Sequence, residues 1–255
     1  MAASTYRLGY NLEDRAGPRM LDTLRQRGRT AGASSAVRLA VQYSATRALY
    51  RAVHRDRRIS VGGKPLSYLP QPNHTERVVE VPWALGFATQ APAGGRALEV
   101  GNVLNRYQPF PHVVLDRYEV APGVLNVDVT EFEPPERFPL ILSVSTLEHV
   151  GFDEPERTAG KFRTALRHLR EVCLAPGGQI AVTVPLGYNP EVDDWVRAKA
   201  DGLGRCYLLH RYSSLNLWRE VEPSALESAP DQLRFDRAFP GASYVALWSF
   251  VAAGD

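Results

Sequence analysis

Beyond Arg96 the chain keeps repeating one pattern, a short apolar and β-rich run followed by a turn or a helical stretch. The runs are residues 97–100, 113–115, 124–127, 140–144 and 179–184. Parallel strands cannot be joined by tight hairpins, so this alternation predicts a parallel sheet with helices on both faces. The clearest helical pattern is Ala159 to Val172, with Phe162, Leu166, Leu169 and Val172 on one side; Pro176-Gly177-Gly178 marks its stop. An insertion-like stretch, 187–204, follows Pro185. A mixed run from Cys206 to Tyr212 and a last strand, 244–252, complete the pattern.

The first third of the chain reads differently. Residues 1–30 are polar and Arg-rich, either a mobile arm or a short helix from Pro18 to Arg27. Residues 33–55 read as an amphipathic helix, because Val37, Leu39, Ala40, Val41, Ala45, Ala48, Leu49 and Val53 recur near a 3.6 period. Gly62, Gly63, Pro65, Pro70 and Pro72 mark 60–75 as a loop, and 91–95 is a Pro/Gly linker. The expected division is residues 1–75 as an N-terminal arm and helical annex, serving as lid or dimer contact, and 76–255 as the α/β domain.

Composition removes several classes. At 255 residues, with 44% hydrophobic and 23% charged residues, the chain can bury a core without covalent staples. Two cysteines, Cys173 and Cys206, cannot build a disulfide framework or a four-thiolate zinc site. No apolar run has membrane-spanning length, and the N-terminus lacks an apolar signal core, so a cytoplasmic protein is expected. The net charge of +2 hides an asymmetry: residues 1–60 hold 12 Arg, no Lys and 4 acids. A basic arm fits nucleic acid or an anionic surface; a solvated helix face is the plainer reading, and no nucleic-acid partner is expected.

In an open α/β sheet, ligands bind at the carboxyl ends of the strands. The first run ends in Glu99-Val100-Gly101-Asn102, where Gly101 permits a tight turn and close backbone approach. Asp116 ends the second run and can accept from both hydroxyls of a ribose. Asp128-Val129 follows the third, with an acceptor for an adenine amino group. The fourth runs into Ser143-Val144-Ser145-Thr146-Leu147-Glu148-His149. These ends could frame one adenosine-type ligand. Taken singly, Asp116 and Asp128 are equally readable as caps or turn acids.

The segments ALEVGN, LDRYE, NVDVTEF, LILSVSTLEHVG and LAPGGQIAVTVP, in that order, resemble class I S-adenosylmethionine-dependent methyltransferases over about residues 76–190. The resemblance implies a Rossmann-like sheet of order 3-2-1-4-5-7-6 with the last strand antiparallel. It implies S-adenosylmethionine as cofactor and S-adenosylhomocysteine as product. It places Glu99 and Gly101 by the methionine part, Asp116 by the ribose, Asp128 and Val129 by the adenine, and Ser145 where the fourth strand meets the cofactor, with Asn102 and Arg117 as further expected cofactor contacts. One departure stands out. The family's GxGxG is reduced here to Gly101-Asn102-Val103-Leu104-Asn105, with only the first glycine kept.

His149 follows the fourth strand on the acceptor side, and a sugar hydroxyl needs a base within hydrogen-bond reach. It is the expected general base; the alternative is a histidine that only packs or orients its loop. Tyr188, Asn189 and Trp83 are the expected acceptor-side residues, because aromatic faces suit sugar rings. Trp195, Trp218 and His210 are further pocket candidates. Arg77 and Glu80 are expected to close over the cofactor, and His54, His74, His112 and His168 to be surface or loop residues. Glu191, Asp193 and Asp194 could hold a divalent ion, but acids at a helix start are more often dipole partners, and no metal is expected. The expected function is methylation of a small molecule, by preference a sugar or oligosaccharide hydroxyl. The rivals are an N-methyltransferase, a nucleic-acid-binding methyltransferase and a fold without activity.

Overall fold

In a computed structural model, residues 33–70, 73–89, 96–198, 204–228, 233, 235–237 and 239–254 are described. The expected helix Pro18 to Arg27 and the linker 91–95 lie outside them. Helix α1 (Ala33–His54) forms as expected, but Val37, Val41 and Leu49 of its apolar stripe are exposed, whereas Tyr50 and His54 are buried. Its last turn is tied to the body. Tyr50 Oη donates to the Ser214 carbonyl at 2.7 Å, and His54 Nε2 lies 2.9 Å from that of Leu215.

The expected loop 60–75 is corrected at its start, where β1 (Arg58–Val61) and β2 (Lys64–Ser67) form a hairpin. Its two turn residues, Gly62 and Gly63, have φ of +58° and +77°. A two-residue turn with both centres left-handed matches the twist of paired strands, and glycine adopts it without strain. Helix α2 (Arg77–Ala88) then buries Val78, Val79, Val81 and Ala84.

The central sheet comprises β3 (Ala97–Val100), β4 (Val113–Leu115), β5 (Val124–Leu125), β6 (Phe138–Val144), β7 (Leu174–Pro185), β8 (Arg205–Ser213), β9 (Leu217–Val221) and β10 (Tyr244–Val251). Its order is β5-β4-β3-β6-β7-β10-β8-β9. With β3 counted as the first strand, this is 3-2-1-4-5-7-6 plus one added edge strand. The pairs among β3 to β7 are parallel, and β10 is antiparallel to both neighbours.

Alternate residues of each strand feed two cores, as a period of two requires. Ile141, Ile180, Val182 and Ala246 pack with α3 (Lys161–His168) and α4 (Pro190–Arg197) on one face. Leu142, Val144, Ala181 and Val245 pack with α2 and the β1–β2 hairpin on the other. On one half of the sheet the strands are joined by turns rather than helices. No α-helix lies between β3 and β6; only a single 3₁₀ turn, Leu104–Arg106, follows β3.

Three further readings are corrected. β7 begins at Leu174, so Pro176-Gly177-Gly178 lies inside the strand, and a wide π turn (Leu169–Cys173) ends the helix ahead of it. The stretch 187–204 contains α4, capped by Asn189, whose side chain accepts from the Glu191 N–H at 3.0 Å. β9 was not expected. The turn before it has neither Gly nor Pro, and Asn216 supplies the left-handed residue at φ +57°.

Candidate active site

The carboxyl ends of β3, β4 and β6 lie side by side because β3 pairs in parallel with both others, and glycine lets the chain turn closely at the first of them. Gly101 has φ +88°, and a Cβ there would lie 2.2 Å from Thr146 Oγ1. Just ahead, Glu99 is fully buried. Its Oε1 accepts from the backbone N–H groups of Val103 and Leu104 at 2.8 and 2.7 Å. Its Oε2 lies 2.7 Å from His112 Nε2. One carboxylate thus shapes the loop that the missing glycines would otherwise form. His112 lies in the loop before β4, one of the two placements expected, but its side chain is only 1% exposed. Burial alone would lower its pKa, but the bond to Glu99, the bond to the Phe110 carbonyl and the Glu99 charge together outweigh this and raise it.

Asp116 follows β4 and is half-buried. Its Oδ1 accepts from the N–H groups of Tyr118 and Glu119 at 2.9 and 2.8 Å. Among the described residues its Oδ2 makes no hydrogen bond. Asn102 joins the same loop, its Nδ2 donating to Glu119 Oε1 at 3.0 Å.

Arg117 and Asp128 meet each other. Asp128 Oδ2 takes Arg117 Nη1 and Lys161 Nζ, both at 2.6 Å, while its Oδ1 accepts from the Thr130 N–H and hydroxyl. Partial burial would raise the Asp128 carboxyl, but Lys161 and Thr130 outweigh it and hold the pKa down at about 2. Val129 lies in the core with Leu98 and Leu115. Lys161 also binds Glu154 at 2.7 Å, and neither residue was expected here.

Under the end of β6 lies a cluster that no sequence pattern signalled. Glu76, Glu80 and Glu148 are fully buried, with Arg77 at 4% exposure. Arg77 and Glu80 therefore do not form a flap. Arg77 Nη1 donates to the Val144 carbonyl at 2.9 Å, and Glu80 accepts from Ser145 Oγ at 2.7 and 2.8 Å. Ser145 has φ +41°, which turns the chain over this group. Burial, with Glu80 beside it, pushes the Glu76 carboxyl up to about 8. Burial also raises Glu80, and it pushes Glu148 well above the usual carboxylate range. Among the described residues neither oxygen of Glu148 has a hydrogen-bond partner.

His149 lies in the turn after β6. Its Nδ1 is bonded to Asp153 Oδ2, and its Nε2 lies 3.5 Å from Glu148 Oε1. Tyr188 Oη donates to the same Asp153 oxygen at 2.5 Å, and the Tyr188 ring packs edge-on against His149, centroids 4.8 Å apart. Asn189 is 2% exposed and donates to the Glu148 carbonyl at 2.8 Å, so it braces this turn as well as capping α4. Trp83 is set apart, packed on Phe87 in the α2 core. Asp153 could have been found from sequence as an acid four residues after the expected base.

The sheet order, with these groups at its carboxyl ends, settles the architecture. The fold is the class I methyltransferase fold. No protein-family model matches the chain, and no curated protein is significantly similar to it. Solved methyltransferases overlay on part of it. The N-methyltransferase NodS from Bradyrhizobium japonicum WM9, in complex with S-adenosyl-L-homocysteine, is 14% identical over 62% of this chain and 78% of that one, with a TM-score of 0.37. A TehB-like S-adenosylmethionine-dependent methyltransferase from Corynebacterium glutamicum is 16% identical over 66% and 86%, at 0.38. The glycopeptide N-methyltransferase MtfA, complexed with S-adenosyl-L-methionine, is 14% identical over 68% and 86%, at 0.35. Among the described residues no group of three or more His, Cys, Asp or Glu is placed to hold a metal ion. Glu191, Asp193 and Arg197-bound Asp194 are committed elsewhere, the first two to the N–H groups of Gly160 and Gly187. No described helix is long and apolar enough to cross a membrane.

Proposed function

We propose that this chain is an S-adenosylmethionine-dependent methyltransferase acting on a small molecule, and that it methylates a sugar or oligosaccharide hydroxyl. The observation that carries the acceptor chemistry is the His149–Asp153 pair at the carboxyl end of β6, with Tyr188 on the same carboxylate. A hydroxyl is a poor nucleophile while protonated, and a histidine oriented through one nitrogen leaves the other to take the proton.

The residues present fit the cofactor unevenly. Asp116 offers Oδ2 to ribose hydroxyls, and the loop that Glu99 organises between Gly101 and Leu104 would flank the methionine part. Asp128 is already shared by Arg117 and Lys161, so an adenine amino group would have to compete with two cations. Bound there, the cofactor supplies a methyl group on a sulfonium centre, open to in-line displacement. The chain's own part is positional and protolytic. Transfer would require the acceptor oxygen to be held in line with the bond that breaks. His149 Nε2 takes its proton, Asp153 balances the imidazolium, and Tyr188 fixes Asp153.

A second reading has its own observation. Glu148 sets a buried carboxyl, which among the described residues accepts no hydrogen bond, 3.5 Å from His149 Nε2, a surrounding that suits an amine acceptor. The test is methyl transfer from radiolabelled S-adenosylmethionine to panels of sugars and of amino sugars, with wild-type protein and His149→Ala. The proposal expects hydroxyl methylation that His149→Ala abolishes. Turnover only on amines, retained in His149→Ala, would move the amine reading to the front. No transfer to either panel, with cofactor bound, would favour a fold without activity.

A further inference from the structure

At the other end of the sheet, a cleft of about 430 Å³ opens between the β1–β2 hairpin and β9. Its floor is rigid. Tyr68 and Trp218 are 4% and 1% exposed. The Tyr68 hydroxyl accepts from the Trp218 N–H at 2.7 Å and donates to the Trp218 carbonyl at 3.3 Å. The Trp218 indole N–H is tied to Asn216 Oδ1 at 2.8 Å. Three exposed arginines, Arg57, Arg58 and Arg219, line the rim. Among the described residues none of the three forms an ion pair. Among the described residues Glu220 is the only carboxylate on the wall, and its Oε2 accepts from the Gly62 N–H at 2.9 Å. Arg219 also lies over the ring of Tyr212, 5.7 Å from its centroid.

Three arginines and one carboxylate line this cleft, an excess of positive charge that a multiply charged anion would balance. Guanidinium forks match phosphate oxygens two at a time. We infer that this cleft binds the diphosphate group of a small-molecule ester, with Tyr212 as an exposed aromatic face for an attached ring. β9 stands four strands from β6, a separation of about 19 Å at about 4.8 Å per strand. The cleft is therefore a site apart from His149, and the inference does not depend on methyl transfer. Three arginines on one walled cleft favour a compact ligand over a nucleic-acid backbone, which would call for a longer basic track.

The test is calorimetric titration of the full chain at low salt with inorganic pyrophosphate and with uridine diphosphate. The proteins are wild type, Arg219→Ala, Arg57→Ala/Arg58→Ala, and Arg163→Ala on the exposed side of α3 as control. The expected result is saturable binding, weakened at least about tenfold by either cleft variant, as loss of a charge-assisted bond implies, and unchanged by Arg163→Ala. Thermal unfolding and S-adenosylhomocysteine binding of the cleft variants should match wild type, which separates failure here from failure of the methyltransferase reading. No binding, or equal loss in Arg163→Ala, would overturn the assignment. So would tighter binding of a single-stranded oligonucleotide that the same cleft variants abolish.

Discussion

The Tyr188 hydroxyl donates to Asp153 Oδ2 at 2.5 Å, and that same oxygen holds His149 Nδ1. Burial would raise the Asp153 carboxyl, yet its bonds to His149 and Tyr188 prevail and lower it. The oxygen therefore stays anionic at neutral pH and fixes the imidazole proton on Nδ1. Asp153→Asn would offer an amide in its place and lose that charge. Its kcat should fall on the order of 10²-fold, with S-adenosylhomocysteine affinity unchanged. Tyr188→Phe should cost less, because Asp153 keeps His149. Steady-state rates over a pH series check both; an unchanged rate in Asp153→Asn would remove the pair from the mechanism.

Much of this fold was legible in the sequence because its central strands are buried on both faces. Runs such as ALEV and LILSV have no other economical place, and β3 and β4 match their expected limits. Elements that rest on a turn's φ rather than on burial were not legible. The Gly62-Gly63 hairpin resembled a loop, and β9 follows a left-handed asparagine. The site divides likewise. Asp116 and His149 were read by position, as residues after strand ends, and they do follow β4 and β6. Glu76 and Lys161 reach the site from elements distant in sequence, and no spacing rule joins them to it.

Glu99 should be worth more to stability than to binding. Glu99→Ala would leave the buried N–H groups of Val103 and Leu104 and the ring of His112 without their acceptor. A cost of about 3–5 kcal/mol follows from breaking a buried, bonded charge. Urea unfolding measures it. A loss under 1 kcal/mol would mean that the loop is shaped by something else.

The buried acids predict an inverse pH dependence. Glu76 holds its proton up to about pH 8 when folded and releases it near the ordinary 4.5 when unfolded. The folded state binds more protons in that window, so stability falls as pH rises from about 4.5 to 8. Glu76→Gln should flatten the fall and be more stable than wild type at pH 8. Unfolding curves at pH 5, 6.5 and 8 test this; parallel profiles would contradict it.

Asp128 predicts the opposite limb. Its folded pKa of about 2 lies below the ordinary 3.8, so its contribution is complete above about pH 4 and is lost as pH falls toward 2. After allowance for solvent screening this amounts to about 1–2 kcal/mol. Lys161→Met should remove most of it and shift acid unfolding to higher pH. An acid transition that does not move would show that Lys161 contributes nothing to holding Asp128.

The most direct measurement is calorimetric titration of the chain with S-adenosylhomocysteine, beside Asp116→Ala. The wild type should bind in the micromolar range. The variant should bind at least about tenfold more weakly, because ribose hydroxyls would then be buried without an acceptor. Absence of binding in the wild type, or equal affinity in both proteins, would rule out a cofactor held at Asp116.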